Sequence, residues 1–308
     1  MLSTKKLIAV IFIVFSLFTS EVLLANTQTL ETFGGNPGEL SASYLLPDNN
    51  TNKLVVLLHG CGQQAEWLAK HSGLLKAANS KKFVLLLPQQ LKSNNMQFCF
   101  NWFSPKDHLY AQGETQSLMN MISRLKQKYS LTETYLIGLS AGGSMVTSII
   151  AQYPDQFTAA ASIAGVAYPC ADNLVKALSC MKNGFAYSME KMVQKIPDNT
   201  AGKWPNLTII AGTKDAIVSP QNSHQMSIQW QTLMATDKTI SDIPVPKGVA
   251  ATRYLNATTN TYVELVEVQD IGHGWPINSQ SPYGDQAAPF VIESSLSSTD
   301  YLVTQWGL

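Results

Sequence analysis

Gly138-Leu139-Ser140-Ala141-Gly142 sets a serine among small residues in a G-x-S-x-G pattern. The apolar stretch Thr134–Leu139 precedes it, and Gly143 to Ile150 can continue as a helix. A strand that turns sharply into a helix is a nucleophile elbow, and the sharp turn requires small neighbours. The helix N-terminus then favours negative charge near Ser140. A serine hydroxyl is a weak nucleophile until a base takes its proton. The chain has five histidines: His59, His71, His108, His224 and His273. In architectures built on this elbow the acid and then the base follow the serine, which leaves His224 and His273. His273 sits in the glycine-flanked loop Ile271–Pro276, directly after the apolar run Tyr262–Val268, where a loop-borne base belongs. His224 lies in a polar, helix-like stretch and reads as a surface residue. The acid is expected to be Asp215, which follows the apolar run Leu207–Ala211 through Gly212-Thr213-Lys214. Asp270 is the rival but stands close to His273 on the same strand end. Asp155, Asp172 and Asp198 have no strand in front of them.

Serine, acid and base in this order point to acyl transfer, which also needs N–H donors aimed at the developing oxyanion. One is expected to be the N–H of Ala141, after the nucleophile. The other is expected to be the N–H of Cys61, in the loop His59-Gly60-Cys61-Gly62-Gln63 that follows the early apolar run. His59 is expected to brace that loop by hydrogen bonds rather than to react. Trp102, Trp275 and Tyr168 lie in motif-like segments and are expected to wall the substrate pocket.

The elements that must position these groups alternate. Lys53–Leu58, Phe83–Leu87, Thr134–Leu139, Thr158–Ala164, Leu207–Ala211 and Tyr262–Val268 are strand candidates, several of them continuous apolar runs of the kind buried parallel strands show. Leu118, Met121, Ile122, Leu125 and Tyr129 recur at helical spacing and form one amphipathic face. Thr299 or Asp300 is expected to cap a closing helix through Leu302 and Trp306. Strands alternating with helices predict an α/β fold with a mostly parallel central sheet flanked by helices. Residues 170–205 and 228–258 break the pattern and read as insertions over the sheet or as loops. No repeat and no Pro/Thr/Ser/Gly-rich linker divides the chain, so residues 26–308 are expected to form one catalytic domain.

Composition narrows the class. The 308 residues are 45% hydrophobic, enough for a sizeable core. Lys+Arg and Asp+Glu are both 21, so no basic excess points to a nucleic acid. Lys5 and Lys6 precede the unbroken apolar or small run Leu7–Phe18, which is short for a membrane span of about twenty residues and fits a secretory signal, with an uncleaved membrane anchor as the alternative. Cleavage is expected after Ala25, although Leu23 suits the −3 position poorly, and residues 1–25 are expected to be lost. The mature protein is then secreted or periplasmic, with no membrane span and no evident protein partner. Of the four cysteines, Cys61, Cys99, Cys170 and Cys180, an even count in an exported chain favours two disulfides. The pairing Cys61–Cys99 with Cys170–Cys180 is preferred to the two alternatives because the second bridge would staple one local insertion. No C-x2-C or H-x3-H spacing exists, so no metal is expected.

Six segments in order, LLHGCGQ (57–63), CFNWF (99–103), QGE (112–114), GLSAGGSM (138–145), AGVAYPC (164–170) and GHGWP (272–276), resemble the polyhydroxybutyrate depolymerase family, within the group of esterases that includes feruloyl and acetylxylan esterases. The resemblance implies an α/β-hydrolase fold, a triad on Ser140, Asp215 and His273, an oxyanion loop at Cys61, and no cofactor. Extracellular members that attack crystalline polymer commonly add a linker and a binding domain, and neither is seen here. That leaves amorphous polymer, soluble hydroxybutyrate oligomers or a different ester as the expected substrate. Feruloyl or acetyl esters on xylan share every motif. A non-catalytic binding protein on the same fold, or a peptidase, is a more distant alternative.

Overall fold

The computed structural model describes residues 27–48, 50–197 and 203–308. The expected signal segment, residues 1–25, lies outside them. In chain order the elements are β1 (Gln28–Thr29), β2 (Ser41–Leu45), β3 (Lys53–Leu58), α1 (Ala65–His71), α2 (Leu74–Lys81), β4 (Val84–Gln89), α3 (Pro105–His108), α4 (Gly113–Tyr129), β5 (Glu133–Leu139), α5 (Ala141–Gln152) and β6 (Ala159–Ile163). They continue with α6 (Leu174–Asn183), α7 (Met189–Gln194), β7 (Asn206–Gly212), α8 (Gln221–Leu233), β8 (Lys238–Ile240), β9 (Val249–Leu255), β10 (Tyr262–Val268), β11 (Trp275–Ile277), β12 (Val291–Glu293) and α9 (Ser298–Gln305).

Ten strands form one sheet in the order β1-β2-β4-β3-β5-β6-β7-β10-β9-β8. The centre, from β4 to β10, is parallel, and β1, β2, β8 and β9 pair antiparallel at the edges. The central strands are buried along most of their length because helices cover both faces, and Leu54–Leu58 of β3 and Val84–Leu87 of β4 are apolar without a break. Side chains alternate along a strand, so Leu54, Val56 and Leu58 of β3 join the core under α4, α5 and α8, while Val55 and Leu57 join the core under α1, α2 and α9. This is the α/β-hydrolase architecture in a single domain.

The six expected strands are present, with ends shifted by a residue or two; Phe83, for example, precedes β4. Residues 228–258 are not simply a loop. They hold the end of α8 and the hairpin β8–β9, which extends the sheet through β10. Only Ala251 of β9 is fully buried, so the apolar run that marks a central strand is missing there. Residues 170–205 hold α6 and α7. The closing helix is capped not by Thr299 or Asp300 but by Ser297, whose side chain accepts the N–H of Asp300. Among the described residues no helix is long and apolar enough to cross a membrane.

Both disulfides follow the preferred pairing, Cys61–Cys99 and Cys170–Cys180. The first ties the loop after β3 to the loop before α3. The second fastens the start of the α6–α7 insertion to α6 itself.

Candidate active site

Parallel strands all point their C-terminal ends to one edge, and loops there gather residues from distant parts of the chain. β3, β5, β7 and β10 deliver the loop His59–Gln63, Ser140, Asp215 and His273 to that edge. At the elbow Ser140 has φ 56° and ψ −115°, a left-handed conformation that costs a non-glycine residue about 1–3 kcal/mol. Packing imposes it. A Cβ on Gly142 would collide with the carbonyl of Leu58, and a Cβ on Gly138 with the backbone of Gly142. The N–H of Ser140 donates to the Ile163 carbonyl at 2.8 Å, which fastens the turn to β6.

The serine hydroxyl lies 2.8 Å from His273 Nε2, and His273 Nδ1 lies 2.7 Å from Asp215 Oδ2. A neutral His273 that donates from Nδ1 to the carboxylate presents a bare Nε2 to the serine proton. The second carboxylate oxygen, Oδ1, accepts the N–H groups of Ile217 at 2.9 Å and Val218 at 2.8 Å. The Asp215 and His273 loops are also joined through their backbones, Thr213 N–H to Val268 O and Lys214 N–H to Ile271 O, both at 3.0 Å. The side chains of Asp215 and His273 are nearly sealed from solvent, which strengthens their mutual hydrogen bond. The rivals are elsewhere. Asp270 forms an exposed pair with Lys214 at 2.7 Å, and His224 an exposed pair with Glu267 at 3.1 Å.

Ala141 is the first residue of α5, so its N–H has no acceptor within the helix. The Cys61 N–H has no acceptor among the described residues, and Cys61 lines the same cavity as Ser140. His59 is fully buried beside it. Its Nδ1–H donates to the Gly60 carbonyl at 2.8 Å, and its Nε2 accepts the N–H of Gln90 at 3.1 Å. Both ring nitrogens are therefore engaged with backbone, which is the bracing expected of it. Burial pushes the imidazole down to about 4, against the opposing bond to Gly60.

That shift carries a pH dependence. The unfolded chain takes up a proton on His59 near 6.5, and the folded protein resists it down to about 4. The stability it supports is complete above the unfolded value and falls as pH drops between the two, by up to roughly 3 kcal/mol at about 1.4 kcal/mol per pH unit. Denaturant unfolding of the wild type and of His59→Gln from pH 7 to pH 4 measures it. The stability gap between the two proteins is expected to narrow by that amount. A gap independent of pH would show that His59 is not a buried neutral imidazole.

A cavity of about 210 Å³ opens at Ser140, walled by Leu139, Met181, Ile217 and Phe290, with Gly60, Cys61, Gln63 and His273 completing it. The expected aromatic walls are not among them. Trp275 is fully buried in β11 within the core under α9. Trp102 is buried against Phe103, and its carbonyl accepts from His108 at 2.6 Å. Tyr168 lines a different cavity, with His108 and Pro169, and its hydroxyl bonds Gln152 at 2.7 Å. Met181, Ile217 and Phe290 went unread because they come from the α6 end, the Asp215 loop and the segment before β12, and none sits in a motif. Among the described residues no cluster of three or more His, Cys, Asp or Glu could hold a metal ion.

Comparison with known proteins accords with this geometry. A poly(3-hydroxyalkanoate) depolymerase C of Paucimonas lemoignei is 31% identical over 95% of this chain and 74% of its own length. A feruloyl esterase B of Thermothelomyces thermophilus is 28% identical over 87% of this chain and 95% of its own. Among solved structures, an acetyl xylan esterase from Aspergillus awamori superposes with a TM-score of 0.70 at 21% identity, over 80% of this chain and 94% of that one, which shows the shared fold. Residues 40–241 match the family described as Esterase PHB depolymerase. The chain is a carboxylic ester hydrolase, and it belongs to the PHB depolymerase esterase family.

Proposed function

We propose that the protein is a secreted serine esterase that cleaves 3-hydroxyalkanoate esters, as amorphous polyhydroxybutyrate or its soluble oligomers. The observation that carries the catalytic part is the relay from Ser140 Oγ through His273 to Asp215, at 2.8 and 2.7 Å, opening into a cavity. Ser140 Oγ attacks the ester carbonyl while His273 Nε2 takes its proton. Asp215 holds the ring and stabilises the imidazolium. The N–H groups of Cys61 and Ala141 receive the oxyanion. The tetrahedral intermediate collapses as His273 returns the proton to the departing alcohol, leaving an acyl-enzyme on Ser140. Water, deprotonated by His273, then releases the acid and restores the serine.

The substrate reading rests on the depolymerase relative and on the wall residues Met181, Ile217 and Phe290, which suit a short aliphatic acyl unit. The feruloyl esterase relative and the acetyl xylan esterase fold keep a second reading open, plant-wall esters cleaved by the same groups. Hydrolysis of a 3-hydroxybutyrate trimer and of amorphous polymer, set beside methyl ferulate and acetylated xylan, decides between them. A kcat/KM at least tenfold higher on the trimer than on methyl ferulate or acetylated xylan is expected, and the reverse order overturns the polyester reading. Removal of residues 1–25 belongs to the same proposal, and N-terminal sequencing of protein recovered from outside the cytoplasm tests it.

A further inference from the structure

Glu114 is a fully buried carboxyl that the proposed reaction does not use. It lies in the first turn of α4, where the helix dipole favours negative charge. Its oxygens are surrounded by N–H donors. Oε2 accepts the backbone N–H of Asn101 at 2.7 Å. Oε1 accepts the side-chain amides of Gln90 at 2.5 Å, Asn101 at 2.7 Å and Asn94 at 3.2 Å. Burial and the nearby Asp107 push the carboxyl up, to about 8, while the Asn101 and Gln90 donors pull the other way.

Two routes run from this carboxyl to the oxyanion loop. The first is hydrogen-bonded. Glu114 pins the side chain of Gln90, whose backbone N–H holds His59 Nε2 at 3.1 Å, and His59 Nδ1–H holds the Gly60 carbonyl at 2.8 Å. The second is covalent. Glu114 fixes Asn101, and nearby Cys99 carries the disulfide to Cys61, beside which Gly62 N–H donates to Gln97 O at 2.7 Å. Gly60 C=O and Cys61 N–H belong to one planar trans peptide, so they point in opposite directions. Holding the carbonyl against His59 turns the N–H away from that ring, and Gly60 and Cys61 both line the cavity at Ser140.

We propose that Glu114 is a positioning residue for catalysis: it clamps the segment from Gln90 to Asn101, and through His59 and the Cys61–Cys99 bridge it sets the plane of the Gly60–Cys61 peptide that supplies the oxyanion donor. This rests on the serine-esterase reading above. Glu114→Gln is isosteric, and its amide oxygen can keep the three donors that Oε1 accepts; its NH₂ then faces the backbone N–H of Asn101, so the bond that fixes the Asn101 backbone becomes a donor–donor contact. Substrate contacts at Met181, Ile217 and Phe290 are untouched.

The test compares full-length mature wild type and Glu114→Gln at pH 9, where Glu114 is ionised, on a soluble p-nitrophenyl butyrate, and measures binding of butylboronic acid, whose tetrahedral adduct on Ser140 places an oxygen in the oxyanion site. A fall in kcat of about ten- to a hundredfold is expected, with KM within twofold and boronate affinity reduced by the same factor as kcat/KM. A purely structural role would lower the melting temperature and the active fraction, titrated with a serine-directed phosphonate, without weakening boronate binding per active site. That result, or wild-type kcat, overturns the proposal. If Glu114→Gln does not fold, Asn94→Ala decides; it removes one donor from Glu114 and one from Gln90, and is expected to lower kcat and boronate affinity together by about threefold. Unchanged values for that variant overturn the proposal. Wild-type protein inactive on every ester would instead overturn the serine-esterase reading on which the proposal stands.

Discussion

Replacing Ser140 with alanine is expected to lower kcat on any accepted ester by about a millionfold while leaving the fold and substrate binding intact. The size of the effect follows from how few contacts the hydroxyl makes. Among the described residues, Ser140 Oγ has one hydrogen bond, to His273 Nε2 at 2.8 Å. The turn that carries it is held by other atoms: the Ser140 N–H on Ile163 O at 2.8 Å, and the Ser140 carbonyl accepting Ser144 N–H at 2.9 Å. Alanine bears the same positive φ at the same steric cost, so the melting temperature should stay near that of the wild type. The cavity walls do not change, so a non-cleavable ester analogue should bind as before. Loss is therefore expected in kcat and not in KM, together with loss of labelling by a serine-directed phosphonate. Substantial turnover in this variant would remove Ser140 as the nucleophile and leave the relay without a reacting atom.

The parts of this molecule that could be read from sequence are those where one physical demand dominates. A strand buried on both faces must be largely apolar, so β3, β4, β5, β7 and β10 stand out. The elbow demands small residues around one serine, so Gly138, Ser140 and Gly142 declare themselves. Asp215 and His273 follow because strand ends and chain order leave few other choices. The edge strands did not show. β9 has one fully buried residue, Ala251, and β2 (SASYL) alternates weakly. The pocket walls were misread for a related reason. Tryptophans in motif-like segments look like substrate contacts, yet Trp275 fills the core under α9 and Trp102 packs on Phe103. Met181, Ile217 and Phe290 meet only because the end of α6 and two loops converge above the sheet, and nothing local to any of them encodes that meeting. Glu114 sits between these cases. The QGE segment is visible as a pattern, but its role depends on Gln90, Asn94 and Asn101 arriving from another part of the chain.

Asp215→Asn is expected to lower kcat by about 10⁴-fold with little change in KM or stability, and the reason lies in the turn that follows it. Oδ1 of Asp215 accepts the N–H groups of Ile217 at 2.9 Å and Val218 at 2.8 Å. Only an oxygen can do this. In the asparagine variant the turn therefore keeps the amide oxygen for itself and directs the NH₂ toward His273. An N–H donor facing Nδ1 requires that nitrogen to be bare, and the proton moves to Nε2. The nitrogen 2.8 Å from Ser140 Oγ then carries a hydrogen and cannot accept the serine proton. The geometry survives and the chemistry is lost through the tautomer. Asp215→Ala is expected to behave differently. It leaves the N–H groups of Ile217 and Val218 without their acceptor and should cost about 1–3 kcal/mol of stability, visible as a lower melting temperature that Asp215→Asn does not share. If Asp215→Asn kept kcat within tenfold of the wild type, the acid would have to be sought at Asp270. That carboxylate is exposed and paired with Lys214 at 2.7 Å, so His273 would have to leave its nearly sealed site to reach it.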